Sequence, residues 1–238
     1  MLEKQAVHNL ETHLRANPYP GRGIIIGRND LREWMMVYWI MGRSANSRNR
    51  QFVYENNILK TTPADPAKVS DPSLIIYNAF RVLGSQYIVT NGSHTDVIHD
   101  GLKQGKTFED SLQGEKHEPD APNFTPRISG LLDLGTEPRA SLSILTANPF
   151  KADTANHAFY RYPHIEPGYG YLVTTYQGDG SPLPSFSGTP LLVPLRGNLS
   201  EIAQTYWNAL NSENRISLAV IKAVPDHAPE MVLLNQYS

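Results

Sequence analysis

With 238 residues, 40% of them apolar, the chain is long enough to bury a sizeable core as one large domain. A formal net charge of -2 gives no reason to expect a nucleic acid or an anionic membrane as partner. The absence of cysteine excludes disulfides, thiolate nucleophiles and cysteine-bound zinc.

The first segment reads as a helix, because Leu2, Ala6, Leu10 and Leu14 recur every four residues until Pro18-Tyr-Pro20-Gly21 stops it. Glu3, Lys4, His8, Glu11 and Arg15 interrupt its apolar residues, so it carries no signal-peptide core and a cytoplasmic location is expected. Gly23 to Gly27 reads as a buried strand. Glu33 to Met41 returns as a second, whose unbroken apolar run implies burial on both faces. That run is far shorter than the ~18 residues a membrane span needs. Gln51 to Tyr54 and Ile58 to Thr61 form a hairpin around Asn56-Asn57. Pro63, Pro66 and Pro72 mark a loop. Leu74 to Val82 and Tyr87 to Thr90 are further strands. Ser93-His-Thr-Asp96 and Thr107-Phe-Glu-Asp110 resemble capping boxes and open two helices. Residues 114–126 form a Gly/Pro-rich loop, and Arg127 to Leu134 reads as a short helix. Strands follow at Ala140 to Thr146, His157 to Tyr162, Tyr169 to Tyr176 and Leu191 to Leu195. Ser200 to Leu210 is a helix, and Ile216 to Val224 and Met231 to Leu234 are closing strands.

Strict strand–helix alternation is absent, which argues against a doubly wound sheet. Apolar strands with few helices between them point to an α+β fold. Its expected form is two mostly antiparallel sheets stacked face to face, with helices on the outer faces as a four-layer αββα sandwich. No repeat or domain boundary is visible, so residues 1–238 are expected to form one domain.

Gly42-Arg-Ser-Ala-Asn-Ser-Arg-Asn-Arg50 is the most unusual local sequence. Three arginines among small polar residues follow a buried strand, and guanidinium forks match phosphate oxygens. A solvated charged loop is the ordinary alternative. Tyr77-Asn78 lies inside an apolar strand, with Arg81 beyond. Strict alternation puts Tyr77, Ala79 and Arg81 on one face and Asn78 with Phe80 on the other. Asn91-Gly-Ser-His-Thr-Asp96 sits where a strand hands over to a helix, a place that favours anions or simply a turn and cap. Glu118, Asp120 and Arg127 stand on a proline-stiffened loop.

Two other patterns carry no chemistry. Gly101-Leu-Lys-Gln-Gly-Lys-Thr107 has Asp100 where a phosphate loop needs its first glycine, and it lies within helix. His94 and His99 are five residues apart and so diverge around a helix, which excludes a zincin-like pair.

Taken in order, Gly42-Arg-Ser with Asn49-Arg50, Tyr77-Asn78 with Arg81, Asn91-Gly-Ser-His-Thr-Asp96 and Thr125-Pro-Arg-Ile128 resemble the archaeal-type IMP cyclohydrolase family. The resemblance covers roughly residues 21–195. It implies an N-terminal-nucleophile-hydrolase-like fold. The reaction it implies closes the formylated aminoimidazole carboxamide ribonucleotide to IMP with loss of water, the final step of purine synthesis. No metal or cofactor is expected, since the attacking nitrogen belongs to the substrate. Tyr77, Arg50, Glu118 and Asp120 are the expected catalytic groups, with Glu118 and Asp120 as alternatives for proton transfer. Arg43, Ser44, Arg48, Asn78, Arg81, Asn91, Ser93, His94, Thr95 and Arg127 are expected to hold the substrate. Arg48 and Arg50 compete for one family position. A purine nucleotide is the expected partner, with homo-oligomer formation left open. Two other readings share the fold: a non-catalytic nucleotide-binding protein, and an amidohydrolase acting on another substrate.

Overall fold

The computed structural model describes residues 1–69, 72, 75–225 and 227–237. Among them are thirteen strands in two antiparallel sheets and a few helices. The first helix, α1 (Leu2–Asn9), runs into a π-helical turn at Leu10–Arg15. Strands β1 (Gly23–Arg28) and β2 (Trp34–Met41) follow, then a one-turn helix α2 (Ala45–Arg48). The hairpin β3 (Gln51–Glu55) and β4 (Ile58–Thr62) turns on Asn56 and Asn57, both at positive φ. Next come β5 (Asn78–Leu83), β6 (Gln86–Thr90), α3 (His94–Lys103) and α4 (Phe108–Leu112). Strands β7 (Arg127–Asp133), β8 (Arg139–Asn148), β9 (Lys151–Tyr162), β10 (Tyr169–Thr174) and β11 (Leu191–Pro194) lead to α5 (Leu199–Ala209). The last two strands are β12 (Arg215–Ala223) and β13 (Glu230–Asn235).

One sheet has the order β11-β10-β1-β2-β12-β13, the other β3-β4-β5-β6-β7-β8-β9. The expected double burial of β2 is realised by strand alternation. Met36, Tyr38 and Ile40 point into an apolar core shared with Phe52, Phe80, Val89 and Ile128 of the other sheet. Met35, Val37, Trp39 and Met41 point outward into a second core, with Leu14 of the π-helical turn and Ile202, Ala203 and Tyr206 of α5. A third cluster joins Ile98, Phe108 and Leu112 of α3 and α4 to Ile88, Leu131 and Leu145 on the outer face of the seven-stranded sheet. Close approach of the sheets needs Gly130, where a Cβ would come within 2.7 Å of Ile26 Cδ1.

Three expectations are corrected. Arg127 to Leu134 is strand, not helix. Ile128 and Leu132 face the shared core while Leu131 faces α3 and α4, so burial on both sides hides the two-residue period. The strand expected from Leu74 begins at Asn78, and Leu74 itself lies outside the described residues. Leu59 pairs with Phe80 but Lys60 pairs with Asn78, which leaves Ala79 as an extra bulged residue. The bulge resets the alternation. Asn78 and Arg81 therefore share a face, both bonding Asp96, whereas Tyr77 reaches inward to Tyr38.

Candidate active site

The antiparallel register gathers several chain ends at one end of the sandwich. Gly23 pairs with both Thr174 and Trp39, so the entry to β1 lies beside the exits of β2 and β10. A cavity of about 350 Å³ opens there, walled by Tyr19, Arg22, Arg43, Arg50, Glu118 and Tyr176. Ser44, Asn46, Ser47, Asp120, Asn123 and Thr125 complete its polar lining. This is within the range of small-molecule sites.

Arg22 forms the floor. Gly21 at φ 72° and Gly23, where a Cβ would fall 2.0 Å from the Trp39 ring, let the backbone turn tightly around it. Its guanidinium makes a fork with Glu118, Nη1 to Oε1 at 2.8 Å and Nη2 to Oε2 at 3.0 Å. Nη1 also reaches the Asn91 carbonyl at 3.4 Å. Burial pulls Arg22 down, but Glu118 and nearby phenols outweigh it and hold Arg22 well above the usual arginine range. Burial pushes Glu118 up against the pull of Arg22.

Arg50, 3% exposed, donates Nε to the Ser47 carbonyl at 2.7 Å and Nη2 to the Met41 carbonyl at 3.2 Å. It has no ion pair among the described residues, and Nη1 makes no hydrogen bond among them. Burial lowers it, Tyr77 opposes that, and the like charge of Arg22 adds to the lowering. Two buried guanidiniums thus line the cavity, and its buried carboxylate, Glu118, pairs with Arg22 alone among the described residues. The excess positive charge suits an anion or a developing oxyanion in a site of low dielectric. Tyr38 and Tyr77 join hydroxyl to hydroxyl at 2.7 Å beside these arginines. Burial raises Tyr38 well above the usual phenol range.

The rim is more open. Arg43 pairs with Asp179 and lies over the Tyr19 ring, 4.8 Å from its centroid. The Asp120 carboxyl accepts the Thr125 amide at 2.7 Å and bonds the Thr125 hydroxyl, which also bonds Tyr176.

Of the residues singled out in the sequence, Arg43, Ser44, Arg50, Glu118 and Asp120 meet at this cavity. Tyr77 lies beneath it, bound to Tyr38. Arg48 turns away, to the Gly42 carbonyl at 3.1 Å and Asn214 at 3.3 Å. Asn78 and Arg81 hold Asp96 on the outer face of their sheet. Ser93 therefore makes no side-chain cap, and the capping box expected at α3 does not form, whereas Thr107 does cap α4. Asn91 ties the Pro126 carbonyl and the Ile128 amide. His94 contacts the Ile128 carbonyl and Arg127, and burial, then Arg127, holds it well below the usual histidine range. Thr95 bonds Thr90, and Arg127 reaches Ser93, His94 and Glu115. The Asn-Gly-Ser-His-Thr-Asp string is thus a brace behind the floor, joining β6, α3 and β7. Arg22, Tyr38, Tyr19, Thr125 and Tyr176 were not singled out as site residues. A lone arginine between two glycines at the mouth of a buried strand was the available signal for Arg22.

Among the described residues, no group of three His, Asp or Glu side chains is placed to hold a metal ion, and no helix is long and apolar enough to cross a membrane.

The fold and the cavity define a two-sheet α+β protein with an arginine-lined pocket at one end of the sandwich. The chain belongs to the IMP cyclohydrolase-like protein family, whose model matches residues 19–227. It is 28% identical over 207 residues to an IMP cyclohydrolase of Haloquadratum walsbyi, covering 85% of this chain and 90% of that one. It is 28% identical over 163 residues to an IMP cyclohydrolase of Methanococcus maripaludis, covering 67% and 75%. An IMP cyclohydrolase of Methanococcus aeolicus is 30% identical over 163 residues, covering 67% and 74%.

Proposed function

We propose that this protein is an IMP cyclohydrolase and that the cavity is where the purine ring closes. Family membership supports the activity. The observation that carries the assignment of the site is the pair of buried guanidiniums, Arg22 and Arg50, facing a single buried carboxylate among the described residues of the cavity lining.

In the reaction, the carboxamide nitrogen of the formylated nucleotide bonds to the formamide carbon. The formyl oxygen leaves as water with one hydrogen from each of the two nitrogens. No protein nucleophile is needed. The enzyme must hold the two groups in contact, stabilise the oxygen as it gains negative charge, and move protons. Arg50, with Nη1 unengaged among the described residues, stabilises that oxygen, and Arg22 holds Glu118 in position. Tyr77 donates to the same oxygen, its hydroxyl set by Tyr38 behind it. Glu118 transfers protons, and the burial that raises its pKa brings it closer to working pH. Arg43, Ser44 and Ser47 at the rim take the phosphate. The helices outside the two sheets support the N-terminal-nucleophile-hydrolase-like αββα arrangement, with α1 outside the family match as an addition. The reaction proceeds in the cytoplasm and without a metal.

Incubating the purified protein with the formylated nucleotide, with and without chelator, and following ultraviolet absorbance tests the reading. Protein-dependent, chelator-insensitive appearance of IMP is expected, and its absence would overturn the assignment. The rim is tested by Arg43→Ala, which should weaken IMP binding far more than inosine binding.

A further inference from the structure

One hydrogen-bond chain at the cavity wall has a polarity that the chemistry of its members fixes. Asp120 accepts the Thr125 amide at one oxygen and contacts the Thr125 hydroxyl at the other. As a carboxylate it can only accept, so the single hydroxyl hydrogen of Thr125 is committed to Asp120. Thr125 Oγ1 must then accept from Tyr176, its other partner. The phenol hydrogen of Tyr176 is therefore committed to Thr125, and what Tyr176 offers to a ligand in the cavity that both residues line is its oxygen lone pair. The ring cannot swing to relieve this. It is 5% exposed and stacks on Tyr19 at 5.9 Å between centroids. Burial pushes the phenol up to about 12, so it stays a neutral acceptor near neutral pH.

A ligand hydroxyl can rotate to suit either polarity, whereas an amide nitrogen can only donate. An enforced acceptor discriminates only against groups that cannot adapt. We propose that Tyr176 is a specificity-determining residue that accepts a hydrogen bond from the carboxamide nitrogen of the substrate, the nitrogen that becomes the ring N–H of the product. This rests on the reading of the cavity as the site of ring closure. Held this way, the attacking nitrogen is oriented by one N–H while its lone pair is left for the formyl carbon.

The test compares two nucleotides, IMP and AMP. The ring nitrogen next to the six-position carries a hydrogen in IMP and a bare lone pair in AMP. Calorimetric titration of wild-type protein should show IMP preferred by roughly tenfold or more, the scale of one buried hydrogen bond and its orphaned partner. Thr125→Val keeps the shape but frees the Tyr176 hydrogen to turn inward, and the ratio should collapse. Thr125→Ser, which restores the hydroxyl, should keep it. A merely structural defect would lower both affinities together and leave the ratio intact. Should Thr125→Val fail to fold, Tyr176→Phe removes the acceptor with the ring retained and should likewise abolish the preference. No wild-type preference, or a ratio unchanged in these variants, would overturn the proposal. Turnover of the wild-type protein is read separately. Absent turnover with a Thr125-dependent ratio would overturn the functional reading and leave Tyr176 as the enforced acceptor of a purine-nucleotide-binding site. Normal turnover with an unchanged ratio does the reverse.

Discussion

Arg22 and Glu118 meet as a two-pronged ion pair with both side chains buried, and a single substitution leaves a charge stranded in the interior. Glu118→Ala should lose about 3–5 kcal/mol of stability, because the desolvated guanidinium loses its partner. Glu118→Gln keeps an acceptor and the volume, so it should fold better than the alanine variant yet fail to move protons. Urea denaturation of both variants checks the order, and equal stability of wild type and Glu118→Ala would contradict it.

Tyr77 and Tyr38 share one hydrogen bond, but Tyr38 is 0% exposed and Tyr77 is 7% exposed. Tyr77 is thus the more open of the two, and Tyr77→Phe should lower turnover by roughly 10²–10⁴-fold, as for a lost acid–base group. IMP affinity should change little, and the melting temperature should fall only by the equivalent of what the buried Tyr38 hydroxyl loses with its partner, about 1–3 kcal/mol. Tyr38→Phe should have a smaller kinetic effect. Wild-type turnover in Tyr77→Phe would reassign the donor to an arginine.

His13 supplies a pH dependence. Thr174 donates its hydroxyl to the Tyr176 carbonyl, so neutral His13 must donate Nε2–H to Thr174. Burial lowers His13 to about 4, below the unfolded value of about 6.5. Its contribution is therefore complete above pH ~6.5, where the unfolded chain is also neutral. As pH falls from ~6.5 towards 4 the unfolded state binds a proton that the folded state does not, and stability drops by about 1.4 kcal/mol per pH unit, about 3 kcal/mol in all. His94, also held neutral, adds to the slope. His13→Gln can still donate to Thr174 and should remove one proton's worth of slope in chemical denaturation across this range. An unaltered slope would show that His13 does not titrate there.

Much of this architecture was legible in the sequence, and the failures have physical causes. The run from Trp34 to Met41 announced burial on both faces, and the structure divides it between two cores. The same condition at Ile128 to Leu132 erased the two-residue period and made a strand read as a helix. A bulge at Ala79, invisible in residue types, exchanged the expected neighbours of Arg81. The arginine-rich loop was conspicuous, but composition could not tell Arg50, buried at the cavity, from Arg48, turned to Asn214. Glu118 and Asp120 were equivalent in sequence and are separated by burial, deeper at Glu118, and by their partners, Arg22 and Thr125. Arg22 acquires its role from a carboxylate 96 positions away, which no local pattern reveals.

Asn91 separates bracing from binding. Its side chain satisfies the Pro126 carbonyl and the Ile128 amide inside the protein. Asn91→Ala orphans both groups and should cost about 2–4 kcal/mol. The folded fraction should still bind IMP with near wild-type affinity. A stable variant that has lost IMP binding would place Asn91 on the ligand instead.

In the proposed reaction, the buried charge of Arg50, without an ion pair among the described residues, serves ring closure rather than folding. Arg50→Met keeps length and apolar volume while removing the charge. Turnover of the formylated nucleotide should fall by about 10²–10³-fold, as when one oxyanion donor is removed. The melting temperature should hold or rise, because an unpaired guanidinium is no longer buried. Wild-type turnover by a folded Arg50→Met protein would contradict the account.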